Sequence, residues 1–248
     1  NIAVLADDTK RAELFYSLSE KDHFGISISQ IGDLDNDGIM DIAVGSYKDD
    51  DGGQDRGAVY IIFLNDDGTA KSFQKISDTA GGFDGILHDG DTFGHGIPSI
   101  GDLDNDGIMD IAVGADNSDD GGQDRGAVYI IFLNDDGTAK SFQKISDTAG
   151  GFDGILHDGD EFGNAITNIG DLDNDGIMDI AVGADDDGGQ DRGAVYIIFL
   201  NDDGTAKSFQ KISGEKETSW LQNIEYLIYG IIIIAIIAGF FIVKTRRS

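Results

Sequence analysis

The feature that most constrains this chain is that it is nearly the same segment written three times. Phe24-Gly25, Phe93-Gly94 and Phe162-Gly163 open copies with a period of 69 residues. Inside each copy the stretch GDLDNDGIMDIAVG recurs letter for letter, from Gly32, Gly101 and Gly170. A fixed period of this size means that one supersecondary unit is stacked on copies of itself, and it overrides any domain count drawn from a length of 248 residues. Each copy holds four strand-like segments. In the first copy they are Gly25 to Ile31, Asp41 to Gly45, GAVYIIFL at Gly57 to Leu64, and AKSFQKIS at Ala70 to Ser77. LNDDGTA carries an Asp-Gly hairpin signal between the last two, while GGQDRG and AGGFDG supply glycine-rich breaks. GAVYIIFL is apolar at almost every position, so both of its faces must be covered, as happens when sheets stack. Four short antiparallel strands per unit, repeated, predict an all-β fold of β-propeller blades.

The expected organisation is a partial N-terminal blade over residues 1–23, then blades over 24–92, 93–161 and 162–213, and a juxtamembrane linker over 214–223. The partial blade rests on two likenesses. NIAVLADD at Asn1 reads like DIAVGADD at Asp179, and RAELFYSL at Arg11 reads like RGAVYIIF at Arg192, so the chain is expected to continue upstream of Asn1. Three and a half blades leave two apolar faces uncovered, and propellers need at least four blades to close. A transmembrane helix is expected over 224–243, since Tyr226 to Val243 is an uncharged apolar run whose helical length, roughly 27 Å, matches a bilayer core. Trp220, Tyr226 and Tyr229 flank one end, and Lys244, Arg246 and Arg247 flank the other. The positive-inside rule then puts the tail over 244–248 in the cytoplasm and the repeats outside a single-pass cell membrane.

Four aspartates fall within nine residues of DLDNDGIMD, in a chain already at formal charge -30. Carboxylates at positions 1, 3, 5 and 9 converge on one centre if the chain curls, and glycine at position 6 permits the turn. Such a group repels itself unless a cation intervenes, and an all-oxygen, flexible loop suits Ca2+ better than the tighter octahedron of magnesium. The expected ligands are Asp33, Asp35, Asp37 and Asp41 with the carbonyl of Ile39. Asp102, Asp104, Asp106 and Asp110 with Ile108 form the second set, and Asp171, Asp173, Asp175 and Asp179 with Ile177 the third, giving about three sites. The competing reading is an acidic Asx turn without metal, which needs one or two aspartates and not four in register. The loop is not an EF-hand, because position 12 is Val44, Val113 or Val182 where that motif needs glutamate. Nor does it belong to the thrombospondin-type calcium arrays, which carry cysteine; this chain has none, so disulfides and thiolate metal sites are excluded.

The joint spacing of F-G, D-x-D-x-D-G-x-x-D with IAVG, and GAVYI resembles the FG-GAP repeat of integrin alpha-type β-propellers, over Phe24 to about Ser213. The resemblance implies one blade per repeat, calcium in the loop between its first and second strands, and recognition of a ligand by loops on the opposite face. Family propellers usually have seven blades, and this chain departs from that with three and a partial one.

The copies differ in two places. Ile26, His95 and Asn164 correspond on the first strand, as do Ser29, Pro98 and Thr167, and Gln30, Ser99 and Asn168. The loop after the second strand also varies, making Tyr47, Lys48, Asn117 and Ser118 candidate contacts for a protein or glycan ligand, set against neutral drift of a loop tip. Asp and Glu outnumber Lys and Arg by 47 to 17, which argues against nucleic acid as a partner. Identical repeats do not supply an asymmetric catalytic constellation, GxSxG, HExxH and P-loop signatures are missing, and no small-molecule cofactor is expected. The function expected from the sequence is therefore calcium-stabilised, membrane-anchored adhesion or ligand binding, and not enzymatic. The alternatives are a surface spacer or coat element without a dedicated ligand, favoured by the near-identity of the copies, and an accessory domain of a hydrolase lying upstream.

Overall fold

The computed structural model describes Leu14, residues 17–187 and residues 192–214. Three separate four-stranded antiparallel sheets account for the described strands, each in the simple order of its sequence. The first contains β1 (Ile28–Gly32), β2 (Asp41–Ser46), β3 (Ala58–Leu64) and β4 (Ala70–Ile76). The second contains β5 (Ser99–Gly101), β6 (Asp110–Ala115), β7 (Ala127–Leu133) and β8 (Ala139–Ser146), and the third β9 (Ile166–Gly170), β10 (Asp179–Ala184), β11 (Ala194–Leu200) and β12 (Ala206–Ser213). This is the all-β, blade-like architecture that the repeat pattern predicts.

The first strand of each sheet starts later than Gly25 or its counterparts, and β5 is the shortest at three residues. Pro98 explains that: it has no N–H to give the ladder, although its carbonyl still accepts from Ala112 N at 3.0 Å. The hairpin between β3 and β4 closes through Asn65 N to Thr69 O and Gly68 N to Asn65 O, both 2.9 Å. Gly68 takes a φ of 81°, a conformation that the Asp-Gly signal supplies without strain.

Alternation along the apolar strand divides the core. Val59, Ile61 and Phe63 pack with Ile97, Ile111, Tyr129 and Ile131 of the second sheet, while Ala58, Tyr60 and Ile62 of the same strand pack on the other side with Leu14 and Leu18. Repetition gives a second junction, in which Val128, Ile130 and Phe132 meet Ile180, Tyr196 and Ile198. Each fully buried aliphatic side chain contributes about 1.5–3 kcal/mol. The links between sheets add aromatic wedges: Phe83 stacks on Phe93 at 5.2 Å and meets Tyr129 edge-on at 5.7 Å, and Phe152, Phe162 and Tyr196 repeat the arrangement.

Two expectations meet the described residues only in part. Of the segment likened to a third strand, RAELFYSL, the described residues are Leu14, Ser17 and Leu18; none is in a strand, and Leu14 and Ser17 are helical. Ser17 Oγ donates to Leu14 O at 2.7 Å, a local bond that competes with ladder pairing, while Leu14 and Leu18 turn their side chains onto the first sheet. Among the described residues no helix is long and apolar enough to cross a membrane; the run from Tyr226 to Val243 lies outside them.

Candidate metal centre

Each aspartate loop sits between the first two strands of its sheet and is curled by its own carboxylates. Asp33 accepts from Asp37 N at 2.9 Å and Gly38 N at 2.8 Å, and Asp37 accepts from Ile39 N at 2.9 Å. Asp102 and Asp171 hold the corresponding amides in the other copies. Gly38 takes a φ of 93° and Asn36 one of 57°, so position 4 shares the turn with position 6. Asparagine tolerates this region better than most side chains, which accounts for the Asn in DLDND.

Position 9 is different in kind. Asp41 is buried and accepts from Leu34 N at 2.9 Å and Leu64 N at 3.0 Å, tying the loop to the end of β3. Asp110 does the same with Leu103 and Leu133, and Asp179 with Leu172 and Leu200. Burial pushes the Asp110 carboxyl up to about 7, and raises Asp41 and Asp179 above the usual carboxylate range.

Three carboxylates in each loop bring an oxygen within 4.8 Å of one another: Asp33, Asp35 and Asp37 in the first, Asp102, Asp104 and Asp110 in the second, Asp171, Asp173 and Asp179 in the third. The fourth aspartate of each set, Asp41 at the start of β2, or Asp106 or Asp175 within the loop, lies outside that group. Ile39, Ile108 and Ile177 enter by their N–H groups, each donating to the position-5 aspartate at 2.9 Å.

A lysine completes the arrangement, and the sequence reading did not single it out. Lys71 Nζ lies 2.6 Å from both Asp35 and Asp37, Lys140 2.6 Å from Asp104 and Asp106, and Lys207 2.6 Å and 2.7 Å from Asp173 and Asp175. These hydrogen bonds hold Asp37, Asp106 and Asp175 below the usual range. The available signal was the invariant AK that opens the last strand of every copy. Oδ1 of Asp35 and of Asp104 is nevertheless buried without a hydrogen-bond partner. An all-oxygen donor set with orphaned carboxylate oxygens fits a hard divalent cation of the calcium type.

The copy-specific residues meet across the junctions. His23 packs edge-on against Tyr47 at 5.2 Å, and Tyr47 lies 4.9 Å from the His95 ring. Asp116 is reached by His95 Nδ1 at 3.0 Å and Asn164 Nδ2 at 3.4 Å. Lys48 lines an open cavity of about 610 Å³ with Glu20, Lys21, His23, Asp50, Gln54 and Asp55. Ser118 does not belong on a recognition surface. It is 2% exposed and turned inward towards Lys144, where Asp49 and Asp187 stand in the other copies.

With three stacked four-stranded sheets and an aspartate loop in each, the molecule is a blade-repeat protein. FG-GAP repeat models match residues 18–63, 96–131 and 162–198, and the chain carries repeats of that family. It is similar to integrin alpha-PS2 of Drosophila melanogaster, 31% identical over 207 residues, which is 81% of this chain and 13% of the relative. Integrin alpha-4 of Xenopus laevis is 29% identical over 163 residues (65% of this chain, 14% of the relative), and integrin alpha-3 of Cricetulus griseus 32% over 161 residues (64% and 13%). The chain thus spans less than a fifth of the length of these relatives.

Proposed function

We propose that this chain is a calcium-stabilised, membrane-anchored extracellular propeller-repeat protein that presents loops for cell-surface adhesion or ligand capture. The observation that carries the reading is the threefold recurrence of converging carboxylates within 4.8 Å, in repeats shared with integrin alpha chains. In the proposal Asp33, Asp35, Asp37 and Asp41 with Ile39, and the equivalent residues of the other two loops, hold one ion each. Calcium when bound supplies the positive charge that lets buried carboxylates stay ionised and cross-links a turn that no disulfide secures. This chain's own residues do the rest: Asp33 curls the loop, Asp41 anchors it to β3, and without the ion Lys71 offsets part of the charge of Asp35 and Asp37. Binding to the folded state alone adds about 2.7 kcal/mol per site at a hundredfold excess over Kd.

Anchoring is supported by the apolar run Tyr226 to Val243 with the basic residues after it, and in the proposal the positive-inside rule puts the repeats outside. Tyr47 and Lys48 are the proposed contacts for a protein or glycan ligand, beside the cavity that Lys48 lines. Thermal unfolding of the full chain with millimolar calcium and with chelator, alongside a count of bound ions, tests the metal reading. A folded protein with no bound calcium and an unchanged Tm would reduce the loops to acidic turns. Adhesion is tested by binding to protein and glycan arrays, with Tyr47→Ala and Lys48→Ala: loss in the variants supports the contacts, and unaltered binding removes them.

A further inference from the structure

The turn after the second strand of each sheet carries a side-chain position that two copies fill with a carboxylate and one does not. Asp49 and Asp187 occupy it in the first and third sheets, and Ser118 stands at the same point of the second. The backbone there is alike in all three. Asp49, Ser118 and Asp187 donate their N–H groups to the carbonyls of Ser46, Ala115 and Ala184 at 3.0, 3.1 and 3.3 Å. Gly57 and Gly126 donate to Asp49 O and Ser118 O, both at 2.9 Å. Serine in place of aspartate therefore removes a carboxylate without moving the chain.

The groups that grip the carboxylate are nevertheless retained in the second sheet. Tyr60 OH donates to Asp49 Oδ2 at 2.9 Å, while Lys75 Nζ and Asp51 N donate to Oδ1 at 2.7 and 3.0 Å. Tyr196 and Lys211 hold Asp187 in the same manner. Lys75, Lys144 and Lys211 lie 5.6, 5.4 and 5.4 Å from the ring centroids of Tyr60, Tyr129 and Tyr196, so the lysine–tyrosine pair keeps one geometry throughout. Yet Tyr129, 1% exposed, has a hydroxyl with no hydrogen-bond partner, and Lys144 Nζ reaches Ser118 Oγ only at 3.4 Å. A buried hydroxyl aimed at the place where its counterparts meet an anion calls for one.

The charge balance points the same way. Lys75 is paired with two carboxylates, Asp49 at 2.7 Å and Asp51 at 3.2 Å, whereas among the described residues Lys144 is paired with Asp120 alone, at 3.3 Å. Negative charge nearby does not forbid an anion, because it is repeated as well. Asp22, Asp91 and Asp160 are buried beside the site in their respective copies, and the first and third sheets hold a carboxylate there all the same.

We propose that the second sheet binds a small monovalent anion, a halide or a formate-sized carboxylate, between Tyr129 OH, Lys144 Nζ and Ser118 Oγ. The ion takes the place that the Asp49 and Asp187 carboxylates fill in the other copies. Both hydroxyls can donate to it, and the ammonium supplies the opposite charge and a charge-assisted hydrogen bond. The Lys144 side chain, 22% exposed, forms the entrance. Ser118 leaves room for little more than the carboxylate it lacks, so a polyhydroxylated acid such as gluconate does not fit.

Thermal unfolding of the full chain in detergent tests this, with calcium supplied as the gluconate salt and sodium chloride or sodium formate replacing sodium gluconate at constant ionic strength. Wild-type Tm is expected to rise saturably in chloride, in formate or in both, and the arm that saturates at the lower concentration identifies the preferred ion. At about ten times Kd the folded-to-unfolded ratio gains about elevenfold, a rise of roughly 3–6 °C for a chain of this size. Ser118→Asp supplies the carboxylate covalently, so its Tm should be higher in gluconate and indifferent to the anion. Tyr129→Phe should keep the wild-type Tm in gluconate and lose most of the response. Asp49→Ser should transplant the site, with a lower Tm in gluconate and part of the loss recovered in the responding anion. A wild type as indifferent as Ser118→Asp, or a response that survives in Ser118→Asp or Tyr129→Phe, overturns the proposal.

Discussion

Replacing Ser118 with aspartate should make the protein more stable, although it buries a new charge. In the first sheet Tyr60 OH donates to Asp49 Oδ2 at 2.9 Å and Lys75 Nζ to Asp49 Oδ1 at 2.7 Å; in the third, Tyr196 OH and Lys211 Nζ bind Asp187 at 2.5 Å and 2.7 Å. The second sheet has Ser118 at that point, and Tyr129 OH is buried with no partner, while Lys144 reaches only Ser118 Oγ at 3.4 Å and Asp120 Oδ2 at 3.3 Å. A hydrogen bond to a charged acceptor contributes about 1.5–3 kcal/mol, and an unsatisfied buried hydroxyl costs about 1–3 kcal/mol; these are two views of one defect and do not add. Part of the gain is spent on desolvating the new carboxylate, which Lys144 offsets, so the net expectation is about 1–2 kcal/mol. Urea unfolding at fixed calcium, followed by circular dichroism, should show Ser118→Asp shifted upward by roughly 0.5–1 M. Tyr129→Phe should be neutral within about 0.5 kcal/mol, whereas Tyr60→Phe should lose about 1.5 kcal/mol or more. If Ser118→Asp is destabilising, or the two Tyr→Phe changes cost the same, the reasoning from the missing acceptor is refuted.

Gly114→Ala should cost about 3 kcal/mol or more, because its Cβ would lie 2.0 Å from Gly163 O, while Gly183→Ala changes unfolding by less than about 0.5 kcal/mol; parallel denaturation curves compare them. Lys140→Met should tighten calcium binding several-fold in a titration and lower Tm in chelator, since it removes the ammonium 2.6 Å from Asp104 and Asp106. The Asp116 carboxylate beside His95 raises the imidazole pKa, with burial acting against it. A raised folded value means that this contribution is complete below the unfolded pKa of about 6.5 and is lost as pH rises through the folded one. His95→Asn should therefore cost most near pH 5–6 and least above about pH 8, read from denaturant midpoints across pH.

Strand identity was legible because it is local. GAVYIIFL announces a strand with two covered faces, and β3, β7 and β11 are the central, most apolar strands of their sheets. Position 9 of the loop was read as one more ligand, but the structure gives Asp41 a second task, since its backbone partner Leu64 lies 23 residues away. Lys71 is not legible as a loop partner for the same reason: it is 36 residues from Asp35, and only the fold of β4 beside the loop brings them together. Ser118 looked like a free loop position, and burial made it a gap in a hydrogen-bond pattern.

By itself the sequence determined the repeat, the strands, the hairpins and the clustering of aspartates, because period, turn chemistry and charge density are properties of neighbours along the chain. Only the tertiary structure decided which face of each sheet is covered, which lysine reaches each aspartate loop, and that identical leucine, valine and isoleucine positions are buried in two copies and open in the third. Those outcomes depend on what lies beside a residue in space, and three copies with the same letters have different neighbours there.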